Sequence, residues 1–157
     1  MFIQFIHEKN KLIIGGKQYP ATCIVRNEIN GWRKNNEIVK TFPLDKSEQR
    51  LPYMPREFPT GIWEVTMPIW TGETDYYPVK IPTTAKRVVR TWEVNNGEYT
   101  KPTDHYQIDA FYHLHYSQNS STTLGCIRIG SEDDASEIAM IVESEIEKGN
   151  KVYLEVI

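Results

Sequence analysis

A chain of 157 residues that is 39% hydrophobic and 25% charged has the length and composition of one globular domain, spanning residues 1–157, with enough apolar material for a real core. Its formal charge of -3 lacks the basic footprint with which nucleic-acid binders neutralise phosphates, and no stretch is long and apolar enough to span a bilayer. Two cysteines, Cys23 and Cys126, are too few for a disulfide framework, which leaves room for one bridge at most.

Taken in order, residues 2–8 and 11–15 alternate or run apolar around Lys9-Asn10, which predicts a hairpin. The apolar start is too short for a secretory signal and has no basic flank before it, so no signal peptide is expected. After the Gly15-Gly16 turn, residues 19–26 predict another strand in which Cys23 is a small buried apolar residue. Residues 27–58 are polar and punctuated by Asn-Gly and prolines, the signature of loop with at most short strands. Residues 61–68 alternate, with Trp63 and Val65 as natural core choices, and residues 70–84 read as loop. A strand over 86–94, the Asn95-Asn96-Gly97 turn and residues 98–100 predict a second hairpin. Ser131 followed by Glu132, Asp133 and Asp134 predicts an N-cap with acids at the positive end of a helix. That helix carries Ala135, Ile138, Ile141, Val142 and Ile146 on one face and ends near Gly149, and residues 151–157 close the chain as a strand. The class is mainly β, a β-sandwich or mixed sheet with one C-terminal α-helix.

The chemistry gathers in residues 111–130, FYHLHYSQNSSTTLGCIRIG, which combine a thiol, two imidazoles, a glycine turn and a guanidinium. Alternation across residues 111–116 predicts a strand with Phe111, His113 and His115 on one face. A cysteine attacks as thiolate, an imidazole makes that thiolate available by taking its proton, and the amides of a sharp turn hold the developing oxyanion. Cys126, the histidines and Gly125 supply these three parts. His115 is the first candidate base; His113, two residues earlier and about 7 Å away by strand rise, is the second, or orients the first. Arg128 shares the Cys126 side of an extended segment, where it either anchors a substrate carboxylate or braces the site, and Thr123 either bonds the histidine or caps the turn. A weaker alternative makes His113, His115 and Cys126, with His105 or Asp104, a zinc site; it lacks a clearly placed carboxylate base, and no metal or cofactor is expected.

These residues carry a resemblance. His115, a spacer and then Thr123-x-Gly125-Cys126-Ile127-Arg128 resemble the catalytic motif of the L,D-transpeptidase domain, and Pro59-Thr60-Gly61-Ile62-Trp63-Glu64-Val65 resembles the stretch that begins a central strand there. Residues 12–25 are similar to that domain's first hairpin. Tyr116 stands where the family usually has glycine and Leu124 replaces a frequent polar residue; with the short spacer and the Gly125-Cys126-Ile127-x-x-Gly130 ending, the likeness is closer to small phage- and secretion-associated relatives. The resemblance implies an L,D-transpeptidase-like fold with Cys126 as nucleophile, His115 or His113 as base, Gly125 in the oxyanion turn, and Arg128 and Thr123 at the substrate. It implies peptidoglycan stem peptides as partners and transpeptidase, carboxypeptidase or endopeptidase chemistry in the periplasm or cell wall. The competing expectation is a catalytically silent wall-peptide binding or structural module on the same fold.

Overall fold

The computed structural model describes residues 1–24, 33–34, 37–38, 57–71, 78–95, 98–117 and 125–157. Among the described residues nine strands form one curled mixed sheet, and one α-helix near the C-terminus packs on its inner face, so the protein is mainly β as expected.

In chain order, β1 (Phe2–Ile6) turns through a single 3₁₀ turn at His7–Lys9 into β2 (Lys11–Ile14), with Asn10 in the left-handed region at φ 50°. β3 (Lys17–Thr22) follows, and two short paired strands, β4 (Arg33–Lys34) and β5 (Glu37–Ile38), are what is described of the long polar stretch. Then come β6 (Gly61–Val65), β7 (Ile69–Trp70), β8 (Val79–Pro82), β9 (Arg87–Asn95), β10 (Glu98–Asp109), β11 (His113–His115), β12 (Ile127–Ile129), helix α1 (Glu132–Glu147) and β13 (Val152–Val156).

The large sheet runs β6-β13-β1-β2-β3-β12-β11-β8-β7. Two neighbours, β1 with β13 and β11 with β12, are parallel and the rest antiparallel. Curling brings the ends together. Val65 at the end of β6 bridges Thr83 just past β8, and Thr66 N–H to Pro82 O and Thr84 N–H to Glu64 O, both 2.9 Å, close the seam. Alternation then puts one side chain in two inside: Ile3, Phe5, Leu12, Ile81, Leu114, Ile127, Ile129, Val152 and Leu154 are wholly buried. Each large side chain so buried contributes about 1.5–3 kcal/mol. Against them α1 sets Ala135, Ile138, Ala139 and Val142, while Ile141 and Ile146 pack at the border. The helix begins as its sequence predicts: Ser131 is the N-cap and its Oγ accepts the Asp134 N–H at 3.1 Å.

Three sequence expectations change. Residues 70–84 are not simply loop, because β8 lies there with Val79 and Ile81 buried beside β11; flanking prolines hid a strand too short to show periodicity. β10 extends to Asp109, well beyond residues 98–100, accommodating Pro102 through register shifts on either side of it. Phe111 does not belong to the histidine strand. It adopts φ 67°, is 83% exposed, and breaks the alternation before β11 begins.

Candidate active site

Parity decides the site. Leu114 and Ile127 are buried in the core and pair across the parallel β11–β12 ladder, so His113, His115, Cys126 and Arg128 all stand on the opposite, outer face. The same ladder sets His115 beside Arg128, and one step back His113 is the lateral neighbour of Cys126. Strands in a sheet lie about 4.8 Å apart, whereas a diagonal neighbour is some 7–8 Å away, so by register His113 is the lateral neighbour of Cys126 and His115 the diagonal one. The main chain reinforces this. The His113 N–H donates to Cys126 Sγ at 3.3 Å, and the thiol faces the Phe111 carbonyl at 3.8 Å.

Gly125 precedes the cysteine at φ 120°, a backbone setting that side chains resist, and this lets the chain turn sharply into β12. At the other end of β12, Gly130 lets strands approach: a Cβ there would stand 3.0 Å from Pro20 O, the atom that accepts the Gly130 N–H at 2.8 Å. Neither Cys23 nor Cys126 is in a disulfide. Cys23 is buried, as expected, but it is more than a small apolar residue. Its Sγ accepts the Phe58 N–H and donates to Gly125 O, each at 3.3 Å, so it ties the active-site turn to the core.

Arg128 is a brace. Its Nη2 donates to Ser117 O at 2.9 Å and its guanidinium lies over the Tyr116 ring at 5.0 Å, fastening the segment that leaves β11. Thr123 lies outside the described residues. Tyr112 anchors the other side: it is buried against Phe58, its hydroxyl donates to Asp109, and the Arg87 guanidinium sits over its ring while reaching Glu57 O. Burial, with the Asp109 bond, raises the Tyr112 pKa and keeps that hydroxyl protonated.

Lys80 was missed by sequence reading. It stands on β8 directly opposite His115, on the same face, and the sequence marks it by no more than the apolar-charged-apolar order of Val79-Lys80-Ile81. Its charge acts on the whole group. Burial first, then the neighbouring His113 and, more weakly, Lys80 and Arg128, lowers the pKa of His115 from 6.5 to about 4 against a raising contribution from a backbone bond to Tyr116. Burial and Lys80 also lower His113. Burial pushes the Cys126 thiol up, with the His113 amide and Lys80 pulling it back. Near neutral pH both groups are therefore uncharged, a thiol on one strand and an imidazole on the next.

Among the described residues no three histidine, cysteine, aspartate or glutamate side chains converge as a metal-ligand group, and none of the helices is long and apolar enough to cross a membrane. Asp104 and His105, the weaker ligand candidates, stand on β10. No protein-family profile, curated protein or solved structure matches the chain. What the fold and site define is a mainly β domain with a half-buried thiol beside two histidines, on the sheet face away from its helix.

Proposed function

We propose that this protein is a cysteine-dependent acyl-transfer enzyme of the L,D-transpeptidase kind, acting on peptidoglycan stem peptides. The observation that carries the reading is the lateral pairing of His113 with Cys126 behind the positive-φ Gly125, which supplies nucleophile, base and oxyanion turn in one ladder. In the proposed reaction His113 accepts the thiol proton while Sγ bonds to a peptide carbonyl carbon, whose π pair moves to oxygen and is held by turn amides. Collapse of that tetrahedral species breaks the C–N bond. The imidazolium protonates the departing amine, leaving a thioester on Cys126. An amine acceptor then gives a cross-link or exchange; water gives carboxypeptidase or endopeptidase cleavage. Arg128 and Lys80 are the cations available to a substrate carboxylate on that face. The place of action follows the substrate: periplasm or cell wall, reached through phage lysis or a secretion system.

A second reading, a silent wall-peptide binding module, draws on the raised thiol pKa and on the main-chain contacts that already engage Sγ. Mass spectrometry of tetrapeptide and cross-linked dimer muropeptides, incubated with wild type and Cys126→Ala, separates the two. Cysteine-dependent loss of a residue, cleavage of a bridge or formation of a cross-link is the expected result. Unchanged muropeptides, with Cys126 alkylated no faster than Cys23, sink the enzyme reading.

A further inference from the structure

We infer that Cys23, a core residue with no place in the reaction itself, is a positioning residue that aims the Cys126 amide at the oxyanion. The inference rests on the acyl-transfer reading above and concerns how that site is held.

The geometry is local and specific. Cys23 follows β3 on the core side, and its thiol donates to Gly125 O at 3.3 Å while accepting the Phe58 N–H at the same distance. The peptide joining Gly125 to Cys126 is planar and trans, so its carbonyl and its N–H point in opposite directions. With the carbonyl drawn toward the buried Cys23, the Cys126 N–H is directed away from that core thiol. Parity puts Cys126 Sγ on the outer face, opposite the core-facing Ile127. An amide of the nucleophile itself, turned toward the side on which the nucleophile attacks, is a suitable donor for the oxygen of a tetrahedral intermediate. Gly125 makes this tether necessary. At φ 120° a glycine has wide conformational freedom, and a bond to its carbonyl restrains the rotation of that peptide plane. Phe58 completes the tether: wholly buried and stacked edge-on against Tyr112 at 5.4 Å, it fixes the Cys23 sulfur from the other side.

Acylation and alkylation of one thiol distinguish a positioning role from a structural one. Attack on an ester passes through an oxyanion; displacement of iodide from iodoacetamide does not. Acetyl transfer from p-nitrophenyl acetate to Cys126 is followed by p-nitrophenolate release and peptide mapping, with Cys126→Ala as control. Iodoacetamide labelling of Cys126 is measured in parallel for wild type, Cys23→Ala and Cys23→Ser, and thermal melts confirm folding. The expected result is acylation slowed roughly tenfold in Cys23→Ala, alkylation changed less than about twofold, and partial recovery in Cys23→Ser, whose hydroxyl can donate and accept. Equal loss in both reactions, or no loss in acylation, overturns the positioning role while leaving the nucleophile intact. Wild-type Cys126 that is alkylated but never acetylated overturns the acyl-transfer reading and the inference with it. Should Cys23→Ala fail to fold, Cys23→Val, which fills the site without a hydrogen-bond donor, carries the same comparison: acylation slowed no more than alkylation contradicts the inference.

Discussion

The amide of His113 donates to Sγ of Cys126 at 3.3 Å, so the strand that carries the imidazole also holds the sulfur. That bond couples β11 to the residue that leads into β12, and in the proposed reaction it makes His113, the lateral neighbour of Cys126, the first candidate base.

If His113 is the base, His113→Asn lowers the rate of Cys126 acylation by about 10²–10⁴-fold, the usual worth of a positioned proton acceptor. His115→Asn costs less and acts mainly on stability, because His115 is 6% exposed and set beside Arg128. Single-turnover acylation of the two variants decides the order; a larger loss in His115→Asn reverses the assignment.

Acid should destabilise the protein through His115. Its folded-state pKa, about 4, is below the ordinary 6.5, so between those values the unfolded chain binds more protons. Stability is full above about pH 6.5 and falls as the pH drops toward 4, by up to roughly 3 kcal/mol for this group. His113 shifts in the same direction. Denaturant melts at intervals from pH 7 to 4 should show a clearly flatter decline for His115→Gln than for wild type.

Replacing Lys80 by Met removes a positive charge that lowers the pKa of both histidines and of the thiol. Both imidazole titrations should move up, and Cys126 alkylation near pH 8 should slow by a factor on the order of 2–5. NMR titration of the histidines and iodoacetamide kinetics give the two readouts, and an unchanged pair removes Lys80 from the site.

Arg128→Lys keeps the charge but loses the bond to Ser117 O in its present geometry and the guanidinium contact over the Tyr116 ring. A loss of about 1–2 kcal/mol in denaturant melts is expected. Protease sensitivity should rise at Tyr116 and Ser117, which the brace ties to β12.

Phe111 spends backbone energy without burying its ring: φ 67° in a bulky residue that is 83% exposed. Left-handed geometry costs about 1–2 kcal/mol outside glycine, so Phe111→Gly should leave stability unchanged or slightly raised, the relief offsetting glycine's extra chain entropy. If the exposed ring forms a substrate wall beside the thiol, the same variant raises KM for muropeptide. A drop in Tm of several degrees contradicts the strain argument.

Much of the frame was legible in the chain itself. Strong alternation in residues 2–14 and 152–156, the Ser131 cap and the apolar face from Ala135 to Val142 are local signals, and they mark the N-terminal hairpin, the helix with most of its buried face, and the last strand. Cys126, Gly125 and the two histidines were legible as a cluster because their chemistry lies within one short segment. Other features depend on distant partners. β8 has too few residues for a period to register, and it is a strand because β11 and β7 flank it. The choice of His113 over His115 as the nearer neighbour of Cys126 is a matter of ladder register, which residue spacing within one strand does not encode. Lys80 joins the site across that ladder, and Cys23 meets Gly125 O across a sequence separation of 102 residues. Local periodicity can state which face a side chain takes; only the folded sheet decides whose side chain stands next to it.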